Sequence, residues 1–210
     1  MAIAARTPLL CARLEAAWRF LTLGGSVVLA LALAGCAPSH NWREVRHEGA
    51  PGVALFPCKP DRAVRDVAML GPQGPTAPLH MMSCDVQGRT FAWAAWPLKG
   101  IDKGHAVMQA WQQASWASLM QRQGPNQEPP AGWVARPVTQ AGAVVAVRWQ
   151  GPAVNHTGQA IEAQWLMLYT PEWAMQMAVY GPAATPAVLE PFWTELKLPQ
   201  AGVAQPVVAQ

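Results

Sequence analysis

No Gly-x-Ser-x-Gly elbow occurs in the 210 residues, which excludes the common nucleophile turn of serine hydrolases. No glycine-rich loop runs into Lys-Ser or Lys-Thr, so a phosphate cradle is not indicated. The four cysteines never fall in Cys-x-x-Cys spacing, which argues against a thiol oxidoreductase. His40, His47, His80, His105 and His156 lack zinc-type spacing, and the carboxylates are too scattered to form a pair by spacing. Charge is sparse as well: 13% of residues are Asp, Glu, Lys or Arg, and the net charge is +3. No basic run interleaves with aromatics, so nucleic acid is not an expected partner. These absences point away from catalysis and away from a metal or organic cofactor.

The N-terminus carries the strongest positive signal. Arg6, Arg13 and Arg19 form a basic front section, and "FLTLGGSVVLALALA" follows from Phe20 to Ala34 without a charge. That run suits the apolar section of an export signal. It falls short of the roughly 20 apolar residues that span a bilayer. It ends in Leu33-Ala34-Gly35-Cys36, then proline and polar residues. This ending resembles the lipobox of bacterial lipoproteins. The resemblance implies a diacylglyceryl group on the Cys36 thiol, cleavage after Gly35, and acylation of the new amine. Several acyl chains on one residue then hold a soluble domain at the membrane, where one chain alone binds marginally. Ala37 is not aspartate, which in Gram-negative lipoproteins implies delivery to the outer membrane, facing the periplasm.

Once the signal is removed, twelve Lys and Arg stand against eleven Asp and Glu, so the remaining chain is nearly neutral. Cys11 leaves with the signal and Cys36 is alkylated, which leaves Cys58 and Cys84. Two thiols in an oxidising compartment favour a disulfide; the alternative is a pair of buried free thiols. Residues 1–35 are thus read as signal, 36–51 as lipidated cysteine and flexible tether, 52–199 as one domain, and 200–210 as a loose tail. Apolar alternation predicts strands at 53–58, 65–70, 79–86 and 89–98, the last two joined by a tight turn at Gln87-Gly88. Residues 102–122 predict a helix, with Met108, Trp111, Ser115 and Leu119 on one stripe and Asp102 at its positive end. Four further strands are expected within 133–181, followed by a short helix with Thr185 as cap and Pro186 in its first position.

That order is α+β: an antiparallel sheet carrying a long central helix and a short C-terminal helix. "VALFPCKP" and "PFWTELKLP" are similar to the opening strand and closing helix of PsbP-like domains. The resemblance implies helices on the faces of the sheet and a function in binding rather than chemistry. Two constellations are candidates for a site. Trp96, Trp116 and Trp149 have periodicities that put them on a less covered face, where they would rim a binding groove; the alternative is that they build the core. "HMM" (80–82) and "MQM" (175–177) put thioethers on strands of an exported protein, which suits Cu(I); the alternative is methionine as core filler. The function expected is a non-catalytic binding or assembly module of the envelope, anchored through Cys36 and meeting an envelope protein partner. A carrier of an apolar ligand or a soft metal such as Cu(I) is the second expectation.

Overall fold

The computed structural model describes residues 40–98, 101–119 and 128–199. The expected signal, the lipidation position Cys36 and the tail 200–210 lie outside these. The described chain is an α+β unit built on seven strands. They are β3 (Asp61–Ala68), β4 (Thr76–Val86), β5 (Arg89–Pro97), β6 (Val134–Pro137), β7 (Val145–Val154), β8 (Ala160–Tyr169) and β9 (Trp173–Gly181). The sheet order is β3-β4-β5-β9-β8-β7-β6, antiparallel throughout. Separate from it, β1 (Arg43–Val45) pairs with β2 (Ala54–Phe56) as a two-stranded ribbon. Helices α1 (Gly104–Ser118) and α2 (Pro186–Thr194) complete the unit. Among the described residues no helix is long and apolar enough to cross a membrane.

Side-chain size explains why each layer sits where it does. Strand side chains alternate between faces. On one face β5 and β9 present Ala92, Ala94, Ala174 and Ala178, a low floor that admits a helix carrying large residues. Val107, Met108, Trp111 and Trp116 of α1 fill that space against Trp165, Met167 and Tyr169 of β8. A buried polar contact pins the layer, with Gln176 Nε2 donating to Ser115 Oγ at 3.0 Å. The opposite face carries Phe91, Trp93, Met175, Met177 and Val179, covered by α2 and the ribbon.

The two motifs that carried the sequence resemblance meet on this second face. Phe56 of β2 packs edge-on against Phe192 of α2 with ring centroids 5.5 Å apart, and Phe192 meets Phe91 at 5.2 Å. Val53 and Lys197 exchange both backbone hydrogen bonds at 2.9 Å, and Lys197 reaches Glu44. Cys58 and Cys84 are joined by a disulfide with Cα atoms 6.1 Å apart, tying the end of the ribbon to β4.

Most expected elements are present with shifted bounds, and two places differ in kind. Arg43–Val45, read from sequence as tether, forms β1, because its partner strand β2 supplies pairing that three residues with one apolar side chain do not advertise. The long helix starts at Gly104; Asp102 sits in a 3-10 turn, Ile101–Lys103, before it. Gln87 and Gly88 both adopt positive φ, as a two-residue hairpin turn requires.

Candidate functional site

Two places on the described surface combine polar groups with incomplete pairing. The first lies where the segment after β1 crosses β4. His47 and His80 are 33 positions apart in sequence, yet their rings meet edge-to-face at 4.9 Å. Both are nine-tenths buried. Trp93 of β5 stacks beside His47 at 6.2 Å, and Trp173 lies 5.8 Å from His80. His47 Nδ1 accepts a hydrogen bond from the Gly49 N–H at 3.2 Å, which fixes the neutral ring as the tautomer with its proton on Nε2. His80 Nδ1 and the indole N–H of Trp93 are buried without a hydrogen-bond partner among the described residues.

The electrostatics of this cluster favour neutral rings. Burial lowers the pKa of both histidines below the ordinary value. For His47 the neighbouring His80 and Arg62 push the same way, and Glu48 opposes them. Neutral imidazole is the form that ligates a metal. His80 is the better donor, because His47 would present Nε2 to a metal only by giving up its bond to Gly49. Among the described residues no three His, Cys, Asp or Glu stand together as a metal site.

The second place is an open groove of about 1040 Å³ beside α2, on the outer part of the sheet. Val134, Arg136, Arg148, Gln150, Glu162 and Gln164 are among its lining residues. Arg136 of β6 and Arg148 of β7 are directly opposite in register. Arg148 lies 4.7 Å from the centre of the Trp193 ring and 3.6 Å from Glu190. Burial pulls the Arg148 pKa below its ordinary value, Glu190 counters that, and a guanidinium remains charged regardless. The groove therefore offers fixed polar and cationic groups, with Val134 55% exposed at its edge.

Of the residues singled out by sequence, His80 belongs to the first place and Trp149 is among the residues lining the groove, while Trp96 and Trp116 fall elsewhere. Trp96 is buried and its indole N–H donates to the Val67 carbonyl at 3.1 Å. Trp116, on α1, is buried, edge-on to Trp133 and to Trp149 at 5.9 and 5.1 Å. Trp96 and Trp116 thus build the layer between helix and sheet, whereas Trp149 is half-buried, packs on Trp116 and also lines the groove. Met82, Met175 and Met177 are likewise core residues, on the face that also carries His80. The His47–His80 contact was missed because residue 47 was assigned to the tether. The groove was missed because its residues converge from β6, β7, β8 and α2 with no common motif. No protein-family model, no curated protein and no solved structure matches this chain.

Proposed function

We propose that this chain is an exported lipoprotein, anchored through Cys36 at the outer membrane and facing the periplasm, whose domain is a non-catalytic binding module for an envelope partner. The observation that carries the reading is the Cys58–Cys84 disulfide, which belongs to an oxidising compartment, in a chain that opens with an export signal and a lipobox-like Leu-Ala-Gly-Cys. The groove beside α2 supports binding, with arginines that can meet a carboxylate or backbone carbonyls of a partner. The fold reading that accompanies it is PsbP-like, supported by the contact between the Phe56 and Phe192 motifs.

Two measurements test it. Metabolic labelling with an alkyne fatty acid should mark the wild-type protein, and Cys36→Ser should lose the label and move to the soluble periplasmic fraction. An unlabelled wild type ends the lipoprotein reading. A photo-crosslinker at Arg136 should give one dominant protein adduct, absent when the same group replaces exposed His105 on the helical face. Equal patterns at the two positions would rule out the groove as the contact.

A second reading rests on the unpartnered His80 Nδ1, whose ring lies 5.8 Å from Trp173, on the same face as Met175. A soft cation such as Cu(I) would find an imidazole, a thioether and an indole there. Titration with Cu(I) should then quench tryptophan fluorescence at one equivalent, and His80→Gln should abolish the response. An unquenched wild type removes this reading.

A further inference from the structure

We propose that β3 is a self-association edge, through which two copies of this chain pair antiparallel and continue the sheet across a two-fold axis. β3 is an outermost strand, and residues 61–66 are all exposed, so neither face of it is covered. Such an edge presents free N–H and C=O groups that template another strand. Val64, 53% exposed, is one of three large hydrophobic residues exposed among the described residues.

Charges usually guard an edge against pairing, and here their order decides which pairing they permit. The strand reads Asp61-Arg62-Ala63-Val64-Arg65-Asp66, a charge-symmetric sequence. Placing Asp61 opposite Asp66 of the second copy sets Arg62 against Arg65, and every charge then meets its like. Centring the axis on Val64 changes this. Arg62 then faces Asp66 of the second copy, Asp66 faces its Arg62, and the two Val64 side chains meet between these pairs on one face. This register engages residues 61–67, nearly the whole of β3. Centring on Ala63 also pairs Asp61 with Arg65, but only residues 61–65 are engaged before Pro60, which lacks an N–H, meets Asp66.

Neither Arg62 nor Asp66 forms an ion pair within the described chain. Among the described residues the Arg62 guanidinium donates one hydrogen bond, to the Arg46 carbonyl at 3.3 Å, which leaves donors for a carboxylate. Residues 62, 64 and 66 share one face, so these contacts form a single self-complementary patch of the kind a two-fold interface needs.

The test uses the full chain in intact cells. Val64→Cys places two thiols at the axis, where directly opposed Cβ atoms lie about 4.5–5.5 Å apart. The expected result is a band of doubled mass on a non-reducing gel, abolished by reductant and absent from the wild type. In the Val64→Cys background, Arg62→Asp or Asp66→Arg should each lower that band at least about five-fold by setting like charges opposite one another. The combined Arg62→Asp/Asp66→Arg variant should restore it, since the swapped charges again face their opposites. All these positions are exposed, and an unchanged melting temperature confirms that the variants fold. The proposal is overturned if no doubled band forms, if Ala63→Cys crosslinks more than Val64→Cys, if the charge variants do not differ, or if Val64→Cys joins a protein of another mass.

Discussion

His47 and His80 show how a folded chain sets the charge of its own side chains. Their rings touch, their surroundings are aromatic, and the charged groups that act on His47 are Arg62, which lowers its pKa, and Glu48, which raises it. Both pKa values are lowered by burial, so the unfolded state binds protons more readily than the folded state. Stability is therefore full above the ordinary imidazole value of about 6.5 and is lost progressively as pH falls below it. A protonated His47 would also turn an N–H toward the Gly49 N–H that now donates to it. Melting temperature measured against pH should fall through this window, and the fall should be shallower in His80→Gln. A flat wild-type profile would refute the argument. Gly151 makes a second point at this scale. A Cβ added there would lie 2.5 Å from the Trp133 ring, and that ring is held by its indole N–H bonded to the Pro152 carbonyl at 3.1 Å. Gly151→Ala should cost about 1–3 kcal/mol in denaturant unfolding, as overpacking does.

Among the elements, the β1–β2 ribbon and α2 depend on each other. Neither buries enough surface alone, and Phe192 of α2, fully buried, touches Phe56 and Phe91 at once. Phe192→Ala should destabilise the protein by about 3–5 kcal/mol, measured as a shift in denaturant midpoint at unchanged slope. The disulfide ties the same ribbon to β4 across a sequence separation of 26. A loop of that length predicts a loss of about 3.5 kcal/mol when Cys58 and Cys84 are both replaced by serine. For a chain of this size that is about 10 °C in melting temperature, read by calorimetry under non-reducing conditions against the wild type.

At the scale of the whole molecule, both hydrophobic clusters are built on the same central strands. β5, β8 and β9 contribute Trp93, Leu166 and Met177 to one side and Trp96, Trp165 and Ala178 to the other. Losing these strands removes both layers together, so unfolding should be one cooperative transition. Far-UV circular dichroism and tryptophan fluorescence should give coincident denaturation curves. Separate transitions would mean that the helical layer and the ribbon layer open independently.

Sequence by itself determined what short-range chemistry can specify. Strand alternation from Ala160 to Gly181 is legible because each residue's face follows from its parity, and the hairpin there has the expected faces. The stripe on α1 and the turn at Gln87-Gly88 are local for the same reason. The Cys58–Cys84 bond matches the pair of thiols left over once the expected export signal and lipidated cysteine are set aside. Tertiary structure alone decided the rest. β1 exists because β2 is beside it, and Trp96 and Trp116 are interior because a floor of alanines lets the helix approach. His47 meets His80, and Arg136 lies across from Arg148, only when segments distant in sequence are brought together. Periodicity tells which residues share a face; it carries no information on what covers that face. Covering is a long-range event, and both candidate sites consist of long-range contacts.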